Sequence, residues 1–238
     1  MCYGICMTTM QIIMSQLRHM NLNRNNYLLI CIPCFIVSII VEYELFIFLS
    51  LFIYFILYYL VAVNVHRLVI LDENKNYFSF GKRLKPTFSY FCYSLLIIIF
   101  SWGGWLLLSF YIIFIIDFLT PNILSIGIMF ILIIFSFFCT IIVYPSLALN
   151  LPIASIGEKV QFFKMWKLSK GFKLTIFLQL IIIWLAYIII SLPFLWIFKW
   201  GFIFNVIISF FSILSLALTV SCLSKTYLLW KEKIINKI

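Results

Sequence analysis

Residues 174–198, LTIFLQLIIIWLAYIIISLPFLWIF, and residues 201–223, GFIFNVIISFFSILSLALTVSCL, are two apolar runs separated only by Lys199 and Trp200. Each is long enough to cross the roughly 30 Å hydrocarbon core of a bilayer as a helix rising about 1.5 Å per residue. Lys164, Lys167, Lys170 and Lys173 stand before the pair, and Lys225, Lys231, Lys233 and Lys237 after it. The turn between the runs holds Lys199 alone. Positive residues stay in the cytoplasm, so the pair is a membrane hairpin with both open ends inside.

The pattern repeats outward along the chain. Apolar runs at 25–41, 45–65, 88–116 and 123–149 precede this hairpin, which gives six predicted spans. Glu42 and Glu44 end the first, and Asp117, Pro121 and Asn122 separate the third from the fourth. Of the 17 Lys and Arg, all but Lys199 fall at the N-terminus, after spans two and four, or at the C-terminus. Both termini are therefore expected in the cytoplasm, with outer loops of a few residues. No cleavable signal peptide is expected, because the first segment carries Arg18, His19 and Arg24 and no Ala-x-Ala site follows.

Composition agrees. Apolar residues make up 66% of the chain and charged ones 10%, too little polar surface to cover the cores of a soluble domain. The predicted fold is an all-α polytopic membrane bundle. It has six transmembrane helices and short interfacial amphipathic helices, in a single integral membrane domain over 1–238. The net charge of +10 suits inner loops facing anionic headgroups. Membrane lipids are the expected partners and nucleic acid is not; the sequence names no protein partner. Cys31 and Cys34 have a Cys-x-x-Cys spacing, but inside an apolar span they read as small buried hydrophobes.

A threefold plan is discernible: an amphipathic inner segment, a span, a short outer turn, a span. The inner segments are Met10, Ile13, Met14, Leu17 and Arg18; then Phe80, Lys82, Arg83, Leu84 and Lys85 before Pro86; then 159–170. Ala62-Val63-Asn64-Val65 at the end of span two echoes Ala148-Leu149-Asn150-Leu151 at the end of span four. The plan is either three repeated helical hairpins or coincidence in a low-complexity apolar chain. In 159–170, Phe162, Phe163, Trp166 and the stem of Lys170 share a face from which Lys164 and Lys167 diverge. That helix either lies in the membrane interface or packs beneath the bundle.

Residues with chemistry are few. Two His without an acidic motif make a weak metal site, and neither catalytic residues, cofactor nor metal are predicted. Asn64, His66 and Arg67 form the most distinctive polar cluster, at the inner mouth of span two. They either anchor the helix end at the interface or bind an anionic headgroup or phosphate ligand. Tyr144 and Asn150 flank Pro145, which should kink span four and free a carbonyl that Asn150 could satisfy. Gln179 and Asn205 are lone polar residues expected to bond neighbouring helices. Gly103 and Gly104 permit either close helix contact or a bend in span three.

The stretch from Ala62 through His66-Arg67 to Asp72-Glu73, the Pro152-Ile153-Ala154 segment, and Trp166-Lys167 with Gly171 resemble motifs of a known group. These are bacterial six-span inner-membrane proteins of uncharacterised activity. They are related to the membrane domain of some glycerophosphodiester phosphodiesterases. The resemblance covers the chain from about residue 10 onward and is looser around Lys225 and Tyr227. It implies a multi-pass protein of the bacterial cytoplasmic membrane and implies no catalysis, since no phosphodiesterase domain is present. The leading reading is a non-enzymatic scaffold or modulator in lipid or envelope processes. The alternative is a small transporter, permease-like or lipid-handling protein; a membrane-embedded enzyme comes third.

Overall fold

A computed structural model describes residues 2–41, 47–73, 80–103, 141–198 and 202–235. Every regular element among them is helical. That is what apolar runs require where no water can satisfy the backbone. The helices are α1 (Cys2–Leu22), α2 (Arg24–Val41), α3 (Ile47–Leu71), α4 (Phe80–Ile98), α5 (Asn150–Ile156), α6 (Phe162–Leu168), α7 (Lys173–Phe198) and α8 (Phe202–Ile235). Residues 141–147 are also helical and lead into α5 through a turn at 148–149.

Four segments are long and apolar enough to cross a membrane: Phe52–Leu71, Arg83–Ser101, Lys173–Phe194 and Ile203–Lys233. Thr8–Leu22 and Arg24–Ile40 qualify only as a pair and are bent by 88°, which would bring the described total to five. The later part of the third expected span and most of the fourth lie outside the described residues, as do Glu42, Glu44, Asp117 and Lys199.

Two boundaries differ from expectation. The inner segment before the third span is not a separate helix, because α4 begins at Phe80 and runs through Pro86 into the span. Pro86 is the seventh residue of α4, inside the helix, where it removes one i→i−4 bond; the buried Arg83 lies in the turn before it. The last helix continues past residue 223 to Ile235, well beyond the apolar run. Its extension is held by side-chain bonds described below.

Both places where the sequence suggests a departure from a regular helix show one in their backbone pattern. Beyond Ile98, α4 widens into a π turn over Ile99–Gly103, where the Ser101 hydroxyl donates to Ile97 O at 2.5 Å. After Pro145 a turn interrupts the helix at 148–149; the carbonyl that Pro145 frees is that of Ile141, four residues back, and Asn150 Nδ2 donates instead to Leu147 O at 2.9 Å. The bent pair sets the entrance: α1 packs across α7 and α8, while α2 runs beside α3 and α8. The core joins Tyr27, Ile30 and Cys34 of α2 to Val61–Val65 of α3 and to Ile213, Ala217 and Tyr227 of α8. Helix α8 is the hub, contacting α1, α2, α3, α5 and α7.

Candidate functional site

Polar bonds tie α2, α3, α6 and α7, and α1 through Tyr27, to Ser221–Trp230 in the second half of α8. Tyr27 of α2 meets Ser221 at 2.8 Å and also His19 of α1 at 3.1 Å. His66 of α3 meets Ser224 at 2.7 Å through Nδ1. Gln179 of α7 donates to Thr226 at 3.0 Å and receives the Thr226 hydroxyl at 3.2 Å. Trp230 Nε1 donates to Leu168 O of α6 at 2.9 Å. Gln179 therefore bonds a neighbouring helix, as a lone span amide should.

His66 is fully buried. The Ser224 hydroxyl also donates to Val220 O at 2.8 Å. A serine has one proton, so both contacts coexist only if His66 Nδ1 is the donor. Nε2 then carries the lone pair, and it has no partner among the described residues. The ring lies 5.4 Å from that of Tyr90.

Arg67 faces a carboxylate. Helix α3 ends at Leu71, and Asp72 adopts a left-handed φ of 51° that turns the chain back. Glu73 thereby reaches Arg67, with Nε to Oε2 at 2.6 Å and Nη2 to Oε1 at 3.3 Å. Arg83 Nη1 donates to the same Oε2 at 2.8 Å, and Arg67 Nη1 to Ser155 O of α5 at 3.3 Å. The Arg67 bond and the two guanidinium charges hold the Glu73 carboxyl below its ordinary value, against partial desolvation.

A second lock is built alike. Gly157 ends α5 at a φ of +80°, and Glu158 follows it. Glu158 receives Tyr227 Oη and Lys231 Nζ, each at 3.1 Å. In each case a left-handed residue closes a helix and aims the next residue, a glutamate, at a neighbouring element.

Between α3, α4, α7 and α8 lies a cavity of about 360 Å³. Tyr58, Tyr59, Tyr90, Tyr144 and Tyr187 line it, with Trp184 and the hydroxyls of Ser94, Ser212, Ser215 and Thr219. Its lining holds no charged side chain among the described residues. None of the five tyrosine hydroxyls hydrogen-bonds another group among the described residues. They present donors and acceptors to the cavity in otherwise apolar surroundings.

The residues singled out in the sequence thus separate. Tyr144 lines the cavity. Asn64 and His66 are buried in the α3 wall, and Asn150 is buried below it, its Nδ2 also 3.4 Å from Phe162 O. Arg67 belongs to the Glu73 lock. The cavity's other tyrosines and the serines of α8 were not singled out. Their signal, hydroxyl residues recurring at 212, 215, 219, 221, 224 and 226, is present in span six and the three residues after it. Among the described residues no group of three or more His, Cys, Asp or Glu comes together.

No protein-family model, curated protein or solved structure matches the chain. Any functional reading therefore rests on this geometry.

Proposed function

We propose that the protein is a permease-like or lipid-handling membrane component that holds a small neutral ligand in the tyrosine–serine cavity. The carrying observation is that cavity: about 360 Å³, five tyrosine rings, and no charge in its described lining. A volume of this order is that of small-molecule sites, which are mostly apolar with a few placed polar groups. A charged ligand would leave its water without a counter-charge to meet it, at a cost of several kcal/mol or more. A neutral molecule with an apolar body and hydroxyl or amide groups fits both surfaces. A scaffold would be served by a filled core, so the cavity favours the ligand-binding reading.

Tyr144 is a ligand contact in this reading. Asn64, His66 and Asn150 form the polar shell behind the cavity, and Arg67 holds the helix ends beneath it. The wider frame is six spans with both termini in the cytoplasm of a bacterial inner membrane, in line with the family resemblance. The partition of Lys and Arg supports it. A repeat of hairpins two and three is supported by the echo of Ala62–Val65 in Ala148–Leu151 and by the left-handed residue that precedes a glutamate at the end of both α3 and α5, although the two features differ by one residue in offset and the two glutamates have different partners.

The test is mass spectrometry of small molecules extracted from the purified protein, with S212F as the cavity-filled control. A neutral compound present with wild type and depleted at least fivefold with folded S212F supports the reading. Equal recovery from both, or recovery of nothing, overturns it.

A further inference from the structure

A second concavity lies on the opposite flank, between the bent α1–α2 pair and helices α7 and α8. Its volume is about 560 Å³. Its walls are apolar along their length, with Leu28, Ile32 and Phe35 of α2 facing Ala186 of α7 and Phe210 of α8. Among the described residues its one charged lining residue is Arg24, beside Asn21 at the α1–α2 bend. Both are exposed, and Arg24 has no carboxylate partner among the described residues.

We propose that this groove seats one anionic phospholipid of the inner leaflet, its phosphate on Arg24 and Asn21 and an acyl chain along α2. Three features argue for that occupant. From Arg24 to Phe35 helix α2 rises roughly 16 Å at about 1.5 Å per residue, close to half of the ~30 Å hydrocarbon core. The groove is therefore as deep as one leaflet. Its only charge is positive and sits at the end where the basic termini place the cytoplasmic headgroups. A guanidinium fork matches two phosphate oxygens, and the adjacent amide can donate to a third.

Geometry at the bend fits the same occupant. Helix α1 turns 88° from α2, so it lies along the membrane surface when α2 crosses it. Met10 and Met14 are exposed and apolar, suited to the boundary between headgroups and acyl chains, and Leu17 lines the groove itself. Tyr187 and Ser215 line both this groove and the central cavity. A seated acyl chain therefore rests against the cavity's outer wall. The lipid site stands whether or not a solute occupies that cavity.

The experiment is native mass spectrometry of protein released from nanodiscs of three parts phosphatidylcholine to one part phosphatidylglycerol. Wild type should retain one phosphatidylglycerol in preference to phosphatidylcholine. R24A should lose at least five-sixths of that occupancy, roughly a kcal/mol, and R24K should fall between. A186W and L28W fill the groove from opposite walls while leaving Arg24 in place, and each should lower occupancy at least threefold. K164A, an exposed base away from the groove, should match wild type. Each variant is scored only with a wild-type melting curve, and the two groove-filling variants serve in each other's place. Wild-type occupancy in R24A, or in whichever groove-filling variant folds, overturns the proposal. Equal retention of both lipids does so too.

Discussion

Arg67 and Glu73 meet through two parallel bonds, although a whole turn of α3 and a reversal of the chain lie between them. The reversal is made by Asp72 in the left-handed region, where a short polar side chain is among the few that tolerate a positive φ. Because Arg83 shares the Glu73 Oε2 atom, one carboxylate ties the end of α3 to the start of α4. Arg67 also bonds Ser155 O, which brings the end of α5 into the same lock.

This lock is pH-dependent. The Glu73 carboxyl titrates below its ordinary value because Arg67 and Arg83 favour its charged form. A depressed carboxyl stabilises the fold above its unfolded pKa, and that contribution is lost as pH falls through the folded value. E73Q should therefore lower stability at pH 7 by about 1 kcal/mol, a modest figure because solvent screens a partly exposed pair. The Glu73 side chain is 38% exposed. Melting curves in detergent should show the difference between wild type and E73Q closing below about pH 4, under the ordinary glutamate value. A difference that stays constant to pH 3 would count against the ion pair.

Ser224 is the only described partner of the His66 ring nitrogens. S224A leaves a fully buried imidazole N–H without an acceptor, which should cost roughly 1–3 kcal/mol. S224T restores a hydroxyl and should recover part of the loss. Thermal unfolding in one detergent measures both. Equal melting of S224A and wild type would show that the contact contributes nothing.

Four of the spans, the second, third, fifth and sixth, were legible because an apolar run is a property of a single segment. So were the Pro145 break and the α6 helix, whose signals are local. The Arg67–Glu73 lock was hidden by Asp72: no helical spacing places residues six apart together, and only the left-handed turn does. The roles of Ser221, Ser224 and Thr226 were hidden for a different reason. Small hydroxyl residues are ordinary filler in membrane helices, bonding their own backbone as Thr219 does to Ser215 O. The cavity needed tyrosines from separate helices to converge, which no pattern within one segment encodes.

Orientation follows from charge. With native cysteines replaced, a single cysteine at position 199 should react with an impermeant maleimide added to intact cells. One at position 164 should react only after permeabilisation. The bases on either side of the last hairpin set this expectation. The reverse labelling pattern would overturn the six-span arrangement with both ends inside.

Helix α6 separates the two roles foreseen for its segment, because its apolar residues face two ways. Met165 is 2% exposed and packs into the core, while Phe163 is 73% exposed and Phe162 stacks on Tyr93 of α4 at 5.9 Å. The Ser169 hydroxyl donates to Ser146 O at 3.0 Å, and Trp230 bonds Leu168 O, so the helix is fastened beneath the bundle. Outward, Phe163 and Trp166 are exposed, with Phe163 edge-on to Phe100 of the π turn at 6.0 Å, and these are the two residues expected at a membrane boundary. M165A removes buried volume and should cost about 2–4 kcal/mol, whereas F163A should change stability by less than about 0.5 kcal/mol. Spin labels in bilayers separate the environments independently: a label at 163 should be relaxed more by oxygen, and one at 164 more by an aqueous nickel chelate. If M165A and F163A are equally mild and both labels are fully aqueous, α6 neither packs beneath the bundle nor touches the membrane.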